Sequence, residues 1–449
     1  MKRTLIALSA VLTLAACNAL KSVPETTSTW EGAKLPEWAK DANIYEVNVR
    51  QYTDEGTLKA FQTHLPRLQE MGVDILWFMP VQPIGELNRK GDLGSYYSIS
   101  DYTAVNPNFG SVEDFKNVVD QAHELGMHVI LDWVANHTAF DHEWVESHPE
   151  FYSTDSAGNY PIVAMDNDGN LTDWTDVADL NYDAPGMREA MMDEMNWWVQ
   201  NAHIDGFRCD VAGFVPYDFW YEAIQKLRSE NGPLFMLAEW EDPALIDTGF
   251  NAVYGWEFHH IMNEVAKGNK NVQAIADYAK KCEKEWPAST MKMYFNTNHD
   301  ENTWNGTVEE RMGDLGNAMY ALASVMQRSI PLIYSGQEAG LNHRYPFFSK
   351  DTLGLDWNTP HPQSDFFAQM LALKTEHQAL YNSNLGFDMT LDVDTTSNSL
   401  RIVRGEEGES DKVVAIFEFG DASSLFTYPD DLDMIVNVKG AKVWVSKLD

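Results

Sequence analysis

Between about Ile44 and Leu380, short apolar runs alternate with longer stretches whose apolar residues recur every three to four positions. The runs are Ile44–Val49, Ile75–Met79, Val129–Asp132, Gly206–Asp210, Phe235–Ala238, Ala252–Tyr254, Lys292–Phe295 and Pro331–Tyr334. Their length and continuity suit parallel strands covered on both faces. The periodic stretches are Thr57–Met71, Val112–Leu125, Arg188–Ala202, Tyr217–Arg228, Val272–Glu285, Leu315–Gln327 and Asp365–His377, and they predict amphipathic helices. Glu257–Lys267 supplies a further candidate helix. Strands and helices alternating this often predict an α/β fold of the (β/α)8 TIM barrel type. An open doubly wound sheet is the alternative. It usually carries a glycine-rich phosphate turn after its first strand, whereas Arg50-Gln51-Tyr52-Thr53 follows here.

The alternation breaks twice. Between His137 and Asn181 the periodicity is lost, and Asp, Asn, Gly and Trp dominate. A connection that long in a compact domain carries function, and this one follows the third strand. After Tyr381 the pattern becomes short alternating strands at Leu400–Val403, Val413–Phe419, Leu425–Tyr428, Met434–Val438 and Val443–Val445. The expected organisation is therefore a barrel over 37–137 and 182–380, a short inserted domain over 138–181, and a small C-terminal antiparallel β domain over 381–449.

The ends of the chain and its charge narrow the setting. Lys2 and Arg3, the apolar run Leu5 to Leu14, and Leu14-Ala15-Ala16-Cys17 resemble a bacterial lipoprotein signal (1–17) with Cys17 as the lipidated residue. Residues 18–36 then read as a polar tether, so a membrane is an expected partner through the anchor. The run is too short to span a bilayer. The net charge of −36 repels phosphate backbones and excludes nucleic acid as an expected partner. Cys209 and Cys282 are the cysteines left after Cys17, and no structural disulfide is expected between them. The 15 Trp residues fit sugar stacking as well as core packing.

Chemistry enters where three apolar runs end on carboxylates: Gly206-Phe207-Arg208-Cys209-Asp210, Leu237-Ala238-Glu239-Trp240 and Asn296-Thr297-Asn298-His299-Asp300. A buried carboxylate costs several kcal/mol unless paired or used. At the C-terminal ends of barrel strands, such groups face one cleft. Asp132-Trp133-Val134-Ala135-Asn136-His137 ends the third strand in the same way. Paired carboxylates without an activated Ser or Cys are the equipment of glycoside hydrolysis. Arg208, two residues before Asp210, shares its side of the strand and is expected to keep it ionised. The apolar setting of Glu239 is expected to raise its pKa, as an acid catalyst needs. The spacing His123-Glu124…His128 fails the helical zinc-protease pattern and carries no assignment.

From Ile44 to Trp357 these motifs resemble the alpha-amylase superfamily, glycoside hydrolase family 13. Tyr97-Ser98-Ile99-Ser100-Asp101-Tyr102 with Asn106-Pro107-Asn108-Phe109-Gly110, the pair Leu180-Asn181, and Pro331-Leu332-Ile333-Tyr334-Ser335-Gly336-Gln337-Glu338 extend the resemblance. It implies Asp210 as nucleophile, Glu239 as general acid and then base, and Asp300 as a clamp on sugar hydroxyls. It implies His137 and His299 as hydrogen-bond donors to the sugar, Tyr97 as its stacking platform, and Arg208 as the cation beside Asp210. Asn136 often helps hold a structural calcium ion in that family.

Two positions depart from the pattern. Where many family members have Lys-His, three and four residues after the nucleophile, this chain has Gly213-Phe214. That leaves the metal unassigned and the leaving-group side open. Asp166-Asn167-Asp168-Gly169-Asn170 is read as a polar turn before a calcium loop. The expected activity is retaining hydrolysis of α-1,4-glucosidic bonds in starch, maltodextrin or a related α-glucan, in a lipid-anchored protein of the bacterial envelope. No cofactor is expected for the chemistry, and calcium only as a structural ion. The alternatives are a family 13 transglycosylase, an α-1,6- or sucrose-active enzyme, and a non-catalytic glucan-binding lipoprotein.

Overall fold

A computed structural model describes residues 35–357, 359–361, 363–405, 411–422 and 424–447. The signal, Cys17 and nearly all of the tether lie outside these residues. The strands up to Tyr334 are β1 (Ile44–Val47), β2 (Ile75–Phe78), β3 (His128–Trp133), β4 (His137–Ala139), β5 (Val177–Asp179), β6 (Gly206–Cys209), β7 (Phe235–Ala238), β8 (Ala252–Tyr254), β9 (Met291–Tyr294) and β10 (Ser329–Tyr334). Eight of them close a barrel in the order β1-β10-β9-β8-β7-β6-β3-β2. Neighbours pair in parallel throughout, as β1 with β10 and β6 with β7.

Alternation along each strand decides what fills the lumen. Ile44, Ile75, Ile130, Leu237, Ala252, Met293 and Leu332 pack together inside the barrel. Two residues further along the same face come Glu46, Trp77, Asp132, Glu239 and Tyr254. An apolar layer in the lumen therefore lies beneath a polar layer at the C-terminal strand ends. Where β6 meets β7 the backbones approach closely. A Cβ at Gly206 would lie 1.8 Å from the Phe235 carbonyl oxygen, so only glycine fits.

The helices wrap the barrel with the expected apolar faces inward. Helix Val112–Glu124 starts in a capping box between Ser111 and Asp114. The helix expected over Thr57–Met71 is two segments, Leu58–Gln62 and Leu65–Met71. Pro66 causes the break. It lacks an N–H and clashes inside a helix, but it fits the first turn of the second segment.

The inserted segment carries a small antiparallel pair, β4 with β5. Its Asp166–Asn170 stretch closes on itself, with the Asp166 carboxylate accepting from the backbone amides of Asp168 and Asn170, both at 2.9 Å. Beyond the barrel, β11 (Met389–Asp394), β12 (Ser399–Arg404), β13 (Val413–Glu418), β14 (Asp433–Val438) and β15 (Ala441–Val445) form an antiparallel sheet in the order β11-β12-β13-β15-β14. Leu425–Tyr428, expected as a strand, is irregular, and Leu425 is 81% exposed. The edge strand β11 was not expected, although Met389, Leu391 and Val393 alternate with polar residues and pack against the core. Arg404 fastens this sheet to the barrel by donating to the carbonyls of Val325 and Met326. Cys209 and Cys282 are buried free thiols. Among the described residues no helix is long and apolar enough to cross a membrane.

Candidate active site

Arg208 organises the polar layer. It rises from β6 into the barrel mouth and is fully buried. Its Nη1 donates to Asp132 at 2.9 Å and to Asp210 at 3.1 Å. Its Nη2 lies 2.8 Å from Glu239 Oε1, an ion pair off hydrogen-bond alignment. Its Nε donates to the Tyr254 hydroxyl at 3.1 Å. One guanidinium thus faces three carboxylates, a task its planar fork suits better than an ammonium would. Asp132 is held on its other side by Trp77 Nε1 at 3.1 Å and the Tyr97 hydroxyl at 3.2 Å.

The sharing of Arg208 corrects an expectation. The cation does not serve Asp210 alone, and it sits closer to Glu239. Burial and the negative charge of Glu239 push Asp210 well above the ordinary carboxylate range, against the pull of Arg208. Burial likewise lifts Asp132 to about 6.

The backbone after Asp210 is strained. Val211 has φ 34° and ψ 49°, a left-handed conformation that a β-branched residue adopts at a cost of roughly 1–3 kcal/mol. Its amide donates to Glu239 Oε2 at 2.8 Å. That hydrogen bond ties the end of β6 to the end of β7 and fixes the two carboxylates against each other.

On another side stands a chain of polar contacts that the sequence reading did not include. Glu46, fully buried on β1, lies 2.5 Å from His299 Nδ1. His299 Nε2 lies 2.8 Å from the Tyr97 hydroxyl and 3.4 Å from Asp300. Burial opposes charge on this imidazole. The carboxylates of Asp300 and Glu46 overcome it and raise His299 to about 9. His137, by contrast, is lowered to about 3 by burial and is neutral.

Of these groups Tyr97, His137, Asp210, Glu239, His299 and Asp300 line one cavity of about 440 Å³, and Arg208 and Glu46 contact them from behind. The predicted site residues therefore meet at one place. Residues missed from the sequence line it too: Lys90, Trp174, Trp304, Phe347 and Phe348. Trp304, 54% exposed, stands one helical turn beyond Asp300. Glu46 had the same signal as Asp210, a carboxylate inside an apolar run. The aromatics had none, because such side chains fill cores everywhere in this chain.

Gly213-Phe214 also finds a physical role. A Cβ at Gly213 would fall 2.3 Å from the indole of Trp240, so glycine makes room for that ring. Phe214 packs on Trp240 at 5.3 Å and stacks on Trp174 at 6.0 Å and 21°. Where the family pattern has a cation, this chain has an aromatic row: Trp174 lines the cavity, with Phe214 and Trp240 packed behind it.

Known proteins resemble this chain over most of its length. Residues 28–359 match the family model described as alpha amylase, catalytic domain. The chain belongs to the alpha-amylase family. Alpha-amylase MalA of Haloarcula japonica is 25% identical over 405 residues, covering 89% of this chain and 58% of its own length. The chain thus spans little more than half of that relative. An alpha-1,4-glucan:maltose-1-phosphate maltosyltransferase of Salinibacter ruber is 30% identical over 239 residues, 48% of this chain and 35% of its own. Among solved structures, an alpha-amylase from Lactobacillus plantarum superposes with a TM-score of 0.79 at 28% identity, covering 91% of this chain and all of that one. As a member of the alpha-amylase family the protein is a glucan-active enzyme of the glycoside hydrolase class. Residues 1–18 match a prokaryotic membrane lipoprotein lipid attachment site.

Proposed function

We propose that this enzyme hydrolyses α-1,4-glucosidic bonds in starch, maltodextrin or a related α-glucan with retention of configuration. The observation that carries this is the pair Asp210 and Glu239, joined through Arg208 and Val211 at one cavity. Asp210 attacks the anomeric carbon as the bond to the leaving oxygen breaks, and Glu239 donates its proton to that oxygen. Water then attacks the same carbon, Glu239 accepts its proton, and Asp210 leaves. The first step needs Asp210 ionised, so substrate entry has to offset the burial and the neighbouring Glu239 that hold its carboxyl well above the ordinary range. Asp300, one-third exposed at the cavity, holds sugar hydroxyls, and neutral His137 and charged His299 flank it. The Tyr97 ring closes the floor beneath the sugar.

The test is side-by-side product analysis on amylose, pullulan, isomaltose and sucrose, with the first-formed anomer followed by NMR. Maltooligosaccharides from amylose, released as α anomers, are expected. Inactivity on amylose with cleavage of another substrate would shift the bond assignment. A β product would overturn the mechanism.

A second reading is transfer to a sugar instead of water. The wall of Trp174 and Phe214 favours it, because an apolar platform can seat an acceptor and exclude water. The ratio of transfer to hydrolysis products at high maltotriose distinguishes the two.

The chemistry here needs no cofactor. A calcium ion in the family's position would have to compete with a lysine. Asp176 is already neutralised by Lys90 at 3.0 Å. Adding calcium to the stripped protein should leave its melting temperature unchanged. We place the enzyme on the bacterial envelope by a lipid on Cys17; Cys17→Ala should move its activity to the soluble fraction.

A further inference from the structure

The spacing His123…His128 carried no helical metal motif, yet the fold brings both rings to one carboxylate. His123 lies in helix Val112–Glu124, His128 opens β3, and Asp205 precedes β6. His123 Nε2 is 2.8 Å from Asp205 Oδ2, and His128 Nδ1 is 3.2 Å from Asp205 Oδ1. The ligand atoms all lie within 4.8 Å of one another. Among the described residues no other group of three or more His, Cys, Asp or Glu gathers in this way.

We propose that His123, His128 and Asp205 form a binding site for a divalent transition ion of the zinc class, at the end of the barrel opposite the cleft. Tetrahedral bonds of about 2.0–2.2 Å place neighbouring ligand atoms roughly 3.3–3.6 Å apart, so the two His–Asp contacts would open slightly within a set that already lies inside 4.8 Å. Two imidazoles and a carboxylate suit zinc, cobalt or nickel better than calcium. The set is positioned from behind. Trp38 stacks on the His128 ring at 3.9 Å and 12°, and the Val129 amide donates to Asp205 Oδ2 at 2.7 Å. Support of this kind orients ligands. The three side chains are 33%, 24% and 19% exposed, so an ion can enter and water can complete its shell. A bound ion would clamp the helix to the starts of β3 and β6. The site lies far along the strands from Asp210 and Glu239, so it is expected to change stability and leave turnover alone.

The full chain in detergent, stripped with chelator and dialysed against zinc, should retain one equivalent and melt at a higher temperature. His128→Gln, which keeps the His123–Asp205 contact, should bind at least 10-fold more weakly and lose the shift, with activity on amylose unchanged. Asp205→Asn gives the same comparison if His128→Gln folds poorly. Histidine modification mapped by mass spectrometry needs no variant, and zinc should protect His123 and His128. No retained zinc, equal uptake by the variants, or no protection of these two rings would overturn the site and leave a hydrogen-bonded triad.

Discussion

The cleft has two faces built on different physics. Its floor is ionic: Arg208, Asp132, Asp210 and Glu239 are locked by short contacts and buried at the strand ends. Its wall toward Gly213 is aromatic, a row of Trp174, Phe214 and Trp240 contributed by the inserted segment and the ends of β6 and β7. The floor is over-determined, since Arg208 ties together carboxylates from the ends of three strands. The wall depends on packing and on one missing side chain. The difference separates two kinds of specificity: the floor sets which bond chemistry is available, and the wall sets what fits the leaving side.

The strongest way to break the comparison is at the floor. Glu239→Gln keeps the shape and removes the proton donor. Its kcat on maltoheptaose should fall by roughly 10²–10⁴-fold, with KM little changed. Equal, slow release by both proteins would show that the floor is not catalytic and would favour a binding protein. Arg208→Met tests the same layer as structure. It leaves Asp132 and Asp210 buried without their cation, which should cost about 3–5 kcal/mol in urea unfolding as well as activity. A loss below about 1 kcal/mol would mean that the charges find water or protons instead.

The wall should respond more mildly and in a different parameter. In Gly213→Ala the new methyl meets the Trp240 ring at 2.3 Å, so the indole must shift. Overpacking of this kind should cost about 1–3 kcal/mol of stability. It should also raise KM for long substrates and change the ratio of transfer to hydrolysis, with less effect on kcat. If kcat collapses as for Glu239→Gln, floor and wall are one unit and the contrast fails.

The same contrast explains what the sequence revealed. The barrel was legible because its strands are buried on both faces and read as continuous apolar runs, and Asp210, Glu239 and Asp300 stood out against them. Period two even placed Arg208 on the side of Asp210. It could not show that Arg208 divides itself among three carboxylates, since Asp132 and Glu239 reach it only through barrel closure. The wall was silent for a different reason. Trp174 lies in a segment without periodicity, and an aromatic residue in a loop looks like any other core residue. The strand wrongly expected at Leu425–Tyr428 marks the same limit, because a short alternation without a partner is not yet a strand.

The smallest expected effect sharpens the floor itself. Glu46 does not itself line the cavity, but it holds His299, which does. Burial disfavours charge on His299, and the carboxylates of Asp300 and Glu46 raise it to about 9. A raised imidazole contributes stability that is fully present below its ordinary value near 6.5 and is lost as pH rises through about 9. Glu46→Gln keeps a hydrogen-bonding side chain there and removes one of the two charges. The alkaline loss of stability should therefore move toward neutral pH in the variant, and the alkaline limb of kcat/KM should move with it if charged His299 serves the substrate. Urea unfolding and kcat/KM measured from pH 5 to 10 separate these outcomes. A stability limb that moves while the activity limb stays put would make His299 a structural cation of the floor; an unmoved stability limb would mean that Asp300 alone keeps it charged.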